Sequence, residues 1–100
     1  AQALGKIKIN FEEIELDFLT LSGHKIGAPT GIGALVYNEK INLTPQILGG
    51  GQEKGMRAGT ENILGIRGFG EAAKFINKVT ENKCSIVKCL RDYFQKFLLS

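Results

Sequence analysis

The first half of the chain places short apolar runs between polar and glycine-containing segments, a pattern typical of strands joined by turns. Residues 17–22 (DFLTLS) mix apolar and β-branched side chains and stop at Gly23, so they predict a strand. Residues 31–37 (GIGALVY) are nearly all apolar and predict a second strand that is buried on both faces. The other short elements predicted here are a helical turn over residues 11–14 capped by Asn10, a turn at residues 38–40 and a short returning strand at residues 41–43.

The apolar period becomes helical in the second half of the chain. Apolar side chains recur every three or four positions at Ile63, Ile66, Phe69, Ala73, Ile76 and Val79. We expect Thr60 to cap this helix and the polar residues 81–83 to bend it, with the stripe continuing beyond them at Ile86, Leu90, Phe94 and Phe97. Gly65, Gly68 and Gly70 each weaken a helix by about 1 kcal/mol relative to alanine, so close packing is expected to compensate.

Composition narrows the class of protein. With 43% hydrophobic and 23% charged residues, the 100-residue chain has the make-up of one globular domain or a piece of one. A net charge of +3 gives no reason to expect direct binding to nucleic acid. No apolar run approaches the roughly 20 residues of a membrane span, and no secretory leader is recognised at the start. The two cysteines are too few for a disulfide framework, so we expect a reducing, cytoplasmic location.

A first candidate site is the tetrapeptide Ser22-Gly23-His24-Lys25, placed where the first predicted strand ends. Ligands of open α/β sheets bind beyond the carboxyl ends of strands. The Ser22 hydroxyl and the His24 imidazole suit a phosphate, and the Lys25 amine suits a Schiff base with an aldehyde. The alternative is a polar turn with a solvated lysine.

A second candidate site is the glycine-rich segment at residues 49–62, which has five glycines between Gly49 and Gly59 and leads into the predicted helix. Backbone N–H groups at such a junction favour anions, and the Thr60 hydroxyl and Arg57 could contribute. The spacing fits neither a P-loop nor a dinucleotide-binding fingerprint. An ordered loop is expected, and a mobile surface loop is the alternative.

The remaining reactive side chains predict structural roles. Cys84 and Cys89 are five residues apart and so do not share a helix face, and no nearby histidine or acid would activate them. We therefore expect both to be buried or half-buried structural cysteines. The single histidine also argues against a zinc site. The basic residues of the second half are expected on the solvated face of the helix: Lys74, Lys78, Lys83, Lys88, Arg91 and Lys96.

The two candidate sites together, in this order and separation, resemble the cysteine desulfurases of the NifS and IscS type. These are pyridoxal-phosphate enzymes of the class V aminotransferase group. The matching segments are DFLTLSGHK (17–25), GIGAL (31–35) and GGGQE through RAGT (49–60), within a similarity that covers roughly residues 1–75. The resemblance implies an α/β fold, as a fragment of the large domain of a fold-type I enzyme with part of a mostly parallel sheet followed by a long helix. Residues 1–62 would then belong to the cofactor domain, and residues 63–100 would lead toward a smaller domain.

The resemblance also implies roles for single residues. Lys25 would be the lysine that binds pyridoxal phosphate covalently and moves protons at the substrate carbon, and it is the one catalytic residue expected here. Ser22 and His24 would hold the cofactor phosphate, and Gln2 would bond the ring hydroxyl. Thr60 would contact the phosphate in the neighbouring subunit, which implies a homodimer.

Other family residues have no counterpart in the chain. The aspartate on the ring nitrogen and the stacking histidine would precede Ala1, whereas the attacking cysteine and the substrate-binding arginine would follow Ser100. Cys84 and Cys89 lie in the wrong element to replace that cysteine. We therefore expect a fragment that is inactive by itself, with open sheet edges, exposed apolar faces and poor solubility or dependence on a partner.

The leading hypothesis is a partial cysteine desulfurase, a transferase whose full form converts L-cysteine to L-alanine. Its sulfur would pass as an enzyme persulfide toward iron-sulfur cluster assembly or tRNA thiolation, through a scaffold or other acceptor protein. One alternative is a fragment of selenocysteine lyase or another class V aminotransferase. The other is a truncated, non-catalytic remnant.

Overall fold

The computed structural model describes residues 1–99, which form a strand pair followed by one long helix. Strand β1 is Phe18–Ser22, and a 3₁₀ helix at Gly23–Ile26 follows it directly. Strand β2 is Gly33–Tyr37, a second 3₁₀ helix covers Gln52–Gly55, and helix α1 is Ile63–Leu98. The α/β fold expected from the sequence is confirmed.

The two strands form an antiparallel pair, in register from Phe18 opposite Tyr37 to Ser22 opposite Gly33. Parallel pairing is therefore not seen between them, although an antiparallel strand on an otherwise parallel sheet is common. The prediction that β2 is buried on both faces is wrong, because its residues 33–36 are exposed. Among residues 1–99 only β1 pairs with β2, and the Leu35 and Val36 side chains of β2 remain 47% and 37% exposed.

Two of the shorter predictions are confirmed and one is wrong. Asn10 caps a single turn, since its side-chain Oδ1 accepts from the Glu12 N–H at 3.2 Å. The Asn38 side chain likewise accepts from the Lys40 N–H at 3.0 Å and holds the turn after β2. Residues 41–43 form no strand, because their backbone bonds locally, with the Leu43 N–H donating to the Ile41 carbonyl at 3.1 Å.

Helix α1 is continuous, and it differs from the sequence prediction in two places. Asn62 rather than Thr60 is the N-cap, since its side-chain oxygen accepts from the Gly65 N–H at 3.0 Å. The expected bend at residues 81–83 is absent from the described helix. These three residues are polar but include neither proline nor glycine, and a polar run alone does not interrupt the backbone hydrogen bonds of a helix.

The glycines at the start of α1 are explained by packing at two positions of three. A Cβ on Gly65 would lie 2.6 Å from the Asn62 side chain, and one on Gly68 would lie 2.7 Å from Pro29. A Cβ on Gly70 would meet nothing within 4 Å. The expected compensation therefore holds for two positions. Gly65 leaves room for the Asn62 side chain, and Gly68 lets α1 pack closely against Pro29.

The interior of the described chain is small. Its buried apolar residues are Ile26, Ala28 and Ala58, and large apolar side chains are exposed on both strands and along α1. The radius of gyration is 17.5 Å, against about 13 Å for a compact domain of this length. The expectation of exposed apolar faces is confirmed. The division into domains at residues 1–62 and 63–100 stays a prediction.

No helix within residues 1–99 combines the length and apolar character that crossing a membrane requires. The basic residues of α1 expected at the solvated face are all exposed.

Candidate functional site

The first candidate site is built where β1 passes without a break into a 3₁₀ helix. Ser22 keeps the extended backbone of the strand (φ −121°, ψ 118°), and the next residue begins the turn. The turn ends at Gly27, whose φ of 84° suits a residue without a Cβ. The side chains of residues 22–25 thus leave the strand end within a single tight turn.

Within this turn the structure brings Ser22 and His24 together. The Ser22 hydroxyl and the His24 Nδ1 are 3.1 Å apart and share a hydrogen bond whose direction depends on the imidazole tautomer. Ser22 is half-buried, whereas His24 and Lys25 are exposed. Within residues 1–99 the Lys25 amine forms no ion pair or hydrogen bond, so it is available to a ligand.

Gly23 fixes this turn against the segment that enters β2. Its N–H donates to the Ile32 carbonyl at 2.9 Å, and its own carbonyl accepts from the Ala28 N–H at 3.1 Å. A Cβ at this position would lie 2.9 Å from the Ile32 carbonyl oxygen and 3.2 Å from the Ala28 Cβ. Only glycine allows the two backbone segments to approach this closely, and this holds Ser22 and His24 in place.

The glycine-rich segment forms an ordered loop, as the sequence predicted. Its ends are tied together by a hydrogen bond from the Ala58 N–H to the Ile47 carbonyl at 3.0 Å. Glu53 and Lys54 both have positive φ, at 48° and 56°, which costs each of them about 1–2 kcal/mol. Hydrogen bonds within the loop stabilise this conformation, including one from the Gly55 N–H to the Gly51 carbonyl at 3.1 Å.

Thr60 lies between this loop and α1 and is exposed. Because Asn62 caps the helix, the Thr60 hydroxyl is not used for that purpose. Its side chain takes part in no hydrogen bond of residues 1–99, so the hydroxyl can serve a ligand. Exposed apolar side chains flank the loop on both sides in the sequence, with Leu48 82% exposed and Leu64 84% exposed.

The hydrogen bonds of Gln2 and Cys84 go to residues outside the Ser22–Lys25 turn. The Gln2 side chain accepts a hydrogen bond from the Lys6 amine at 3.5 Å, and no hydrogen bond of the described residues joins it to Ser22, His24 or Lys25. The Cys84 thiol, on α1, donates to the Lys6 carbonyl. Cys84 is half-buried as expected, but the same expectation is wrong for Cys89, which is exposed on the same helix, and neither cysteine forms a disulfide within residues 1–99.

One residue that the sequence analysis left without a role makes a specific contact in the loop. The Gln52 side-chain oxygen accepts from the Gly59 N–H at 3.3 Å, directly before Thr60. The only sequence signal was its position after three consecutive glycines, since a glutamine side chain needs space to fold back on its own loop.

Comparison with known proteins matches the whole described chain. Residues 1–99 match the aminotransferase class-V family. A cysteine desulfurase of Gluconacetobacter diazotrophicus is 48% identical over 98% of this chain and 24% of its own length. The crystal structure of a NifS-like protein from Rickettsia africae is 43% identical, with a TM-score of 0.88 over 97% of this chain and 27% of that one. A further solved structure, SspA in complex with cysteine, is 43% identical, with a TM-score of 0.69 over 74% of this chain and 22% of its own.

The matches cover nearly all of this chain, but this chain spans only about a quarter of the length of its relatives. They cover the strand pair, the turn that carries Lys25, the glycine-rich loop and α1 together, so the likeness includes both the sequence of the candidate sites and the fold that holds them. The resemblance drawn from the motifs is thereby confirmed, although it extends beyond the expected residues 1–75 to residue 99. The chain belongs to the aminotransferase class V family.

Proposed function

We propose that this chain is the cofactor-lysine segment of a cysteine desulfurase that uses pyridoxal phosphate. In the complete reaction, the sulfur of L-cysteine leaves its carbon for an enzyme thiol, forming a persulfide, and L-alanine is released. The observation that carries this proposal is the turn at residues 22–25. There a hydrogen-bonded serine and histidine precede an exposed lysine amine that has no partner among residues 1–99. The names of the relatives and the cysteine in the SspA structure support the choice of substrate.

The side chains of this turn fit the phosphate group of the cofactor. A phosphate monoester accepts hydrogen bonds at several oxygens. The Ser22 hydroxyl and the His24 imidazole, which share a hydrogen bond at 3.1 Å, could each donate to it by exchanging that bond for one to the ligand. The close packing of the Gly23 backbone against Ile32 and Ala28 keeps the serine and the histidine in place. Gln2, which is exposed, would bond the ring hydroxyl.

Lys25 would be the covalent attachment point and the proton carrier. Pyridoxal phosphate would supply an aldehyde that condenses with amines and a ring that accepts an electron pair from the substrate carbon. The Lys25 amine has no ionic partner among residues 1–99, so no ion pair must be broken before it reacts. The Lys25 backbone belongs to the 3₁₀ helix, so the amine would move between the cofactor and the substrate carbon by rotation about the bonds of its own side chain.

Thr60 would complete the site of a second subunit, and we therefore propose a homodimer. The hydroxyl is exposed and is not engaged in capping α1. Apolar side chains as exposed as Leu48 and Leu64 are typical of a protein interface when they cluster, and they flank this loop in the sequence.

The sulfur would leave through a thiol other than Cys84 and Cys89. The Cys84 thiol is bonded to the Lys6 carbonyl, and both cysteines lie on α1 well after the cofactor turn in the sequence. We propose that the persulfide serves an iron-sulfur scaffold or another acceptor protein, including one for tRNA thiolation, in the cytoplasm. The low cysteine content, two in 100 residues, supports a reducing location. The 100-residue chain alone is expected to be inactive.

Trapping with borohydride tests the proposal. Incubation with pyridoxal phosphate followed by reduction should add one cofactor mass, and peptide mapping should assign it to Lys25. Substitution Lys25→Ala should abolish the tag. Lys54→Ala, which removes an exposed lysine from the glycine-rich loop, should leave it unchanged. An unmodified Lys25 in the wild-type protein would rule out the cofactor role and leave a non-catalytic remnant.

A further inference from the structure

The Gln52 side chain folds back across the glycine-rich loop. Its Oε1 accepts from the Gly59 N–H at 3.3 Å, which joins the start of the loop to its end. A Cβ on Gly50 would lie 2.6 Å from that oxygen and 3.0 Å from the side-chain nitrogen. Because Gly50 has no Cβ, the Gln52 amide can occupy space next to it that the side chain of any other residue would fill.

This contact acts on the residue that precedes Thr60. The Gly59 backbone has a φ of 111°. Glycine adopts positive and negative φ about equally readily, so residue 59 does not fix this conformation by itself. Within residues 1–99, the Gln52 side chain is the hydrogen-bond partner of the Gly59 N–H. Without it, rotation at Gly59 would change the direction of the following peptide and of the Thr60 hydroxyl.

We infer that Gln52 is a positioning residue for phosphate binding: its side-chain amide holds the Gly59 peptide and so directs the Thr60 hydroxyl toward a phosphate monoester. This inference rests on the proposed function, in which Thr60 contacts the phosphate of the cofactor held by the neighbouring subunit. Gln52 itself touches no reacting atom. Its effect is confined to the phosphate end of the ligand, and this is what separates it from a general role in stability.

The test compares two ligands that differ only in the phosphate, pyridoxal phosphate and pyridoxal. The intact protein is incubated with each ligand at increasing concentration, reduced with borohydride, and the fraction of Lys25 modified is measured by mass. The variant is Gln52→Met, because methionine keeps the length and volume of glutamine but has no oxygen to accept from Gly59. The matched control is Gln46→Met, since among residues 1–99 the Gln46 side chain bonds only the nearby Thr44 carbonyl.

Gln52→Met should raise the pyridoxal phosphate concentration for half-modification by about tenfold, the size expected for one lost hydrogen bond of about 1.4 kcal/mol. The value for pyridoxal should not change, and Gln46→Met should match the wild type with both ligands. Equal weakening with both ligands, or no weakening with either, would overturn the inference. If the wild-type protein is modified by neither ligand, the proposed function fails and this inference with it.

Gly50→Ala gives a second, independent way to displace the same amide. The added Cβ would push the flexible end of Gln52 away from Gly59 while changing no hydrogen-bonding group. It should reproduce the selective loss of pyridoxal phosphate. The double variant Gly50→Ala/Gln52→Met should be no weaker than Gln52→Met alone, because both changes remove one contact. Additive losses would contradict a shared mechanism.

Discussion

The proposed cofactor turn depends on the absence of a side chain at Gly23 as much as on the side chains of its neighbours. Ser22, His24 and Lys25 supply the functional groups, but Gly23 between them sets the backbone on which they stand. Its hydrogen bond to the Ile32 carbonyl and its contact with Ala28 tie the turn to the chain that enters β2. The chemistry of the turn and its attachment to the sheet are therefore properties of the same four residues.

Gly23→Ala should destabilise the protein by about 1–3 kcal/mol, the usual range for overpacking. The added Cβ would lie 2.9 Å from the Ile32 carbonyl oxygen, a backbone atom that cannot rotate away as a side chain can. Urea unfolding measures the change in free energy of unfolding. Gly51→Ala is the control, because a Cβ there meets nothing within 4 Å and its φ of −84° suits any residue. Equal stability of the two variants would show that the turn yields more easily than its contacts imply.

Residues 22–25 could be placed from the sequence because their arrangement is local. A strand that ends at a glycine presents its next side chains within one turn, and no distant contact is needed to bring Ser22 to His24. The role of Gln52 could not be predicted in the same way. Its partner Gly59 is seven positions away, and the contact depends on a loop conformation with two non-glycine residues at positive φ.

At the scale of elements, helix α1 shows how two good capping residues compete. Thr60 and Asn62 are both suitable N-caps by residue type, and the sequence favoured Thr60. The structure uses Asn62, whose side chain reaches the Gly65 N–H, and the absence of a Cβ on Gly65 leaves room for it. Cap formation depends on the backbone angles of the entering chain, and the identity of the residues does not fix these angles.

Asn62→Ala should lower the free energy of unfolding by about 0.5–2 kcal/mol, because the Gly65 N–H would lose its partner. Thr60→Ala should change stability by less than about 0.5 kcal/mol, as for a surface substitution. It should instead weaken pyridoxal phosphate binding. Chemical denaturation and the borohydride assay together separate the two residues. The assignment of the cap to Asn62 does not survive if Thr60→Ala proves the more destabilising change.

The same helix explains why periodicity predicted its extent but not its straightness. The polar residues 81–83 interrupt the apolar stripe, and for this reason the sequence predicted a bend there. In the structure the Thr80 hydroxyl donates to the Ile76 carbonyl at 2.7 Å, and Glu81 pairs with Lys8 at 3.5 Å. Polar residues in this part of the helix thus contact the backbone and the N-terminal segment, and the helix continues through them.

At the scale of the whole molecule, apolar surface exceeds what the chain can bury by itself. The second half of α1 carries exposed apolar side chains, with Leu90 63% and Phe94 61% exposed. A 36-residue helix is about 54 Å long, and residues 85–98 of this helix are all exposed. The sequence predicted the apolar stripe correctly. It could not predict which part of the stripe is covered, because covering depends on segments distant in the chain.

The 100-residue chain in isolation should bind the dye ANS, which reports exposed apolar surface. Replacing Leu90 and Phe94 by serine should lower the ANS fluorescence, because both side chains are exposed on α1. Replacing Lys88 and Lys96 by serine, also exposed on this helix, should not lower it. Dye binding that is indifferent to the first pair of substitutions would locate the apolar surface elsewhere, for example on the strand pair.

The two thiols of α1 differ in their surroundings, and this has a practical consequence. Cys84 is half-buried with its thiol bonded to the Lys6 carbonyl, whereas Cys89 is exposed. A maleimide fluorophore should therefore attach first at Cys89, next to Leu90 and remote in sequence from the lysine turn. The emission of such a probe would change when another molecule, or another part of the same polypeptide, binds to the second half of α1.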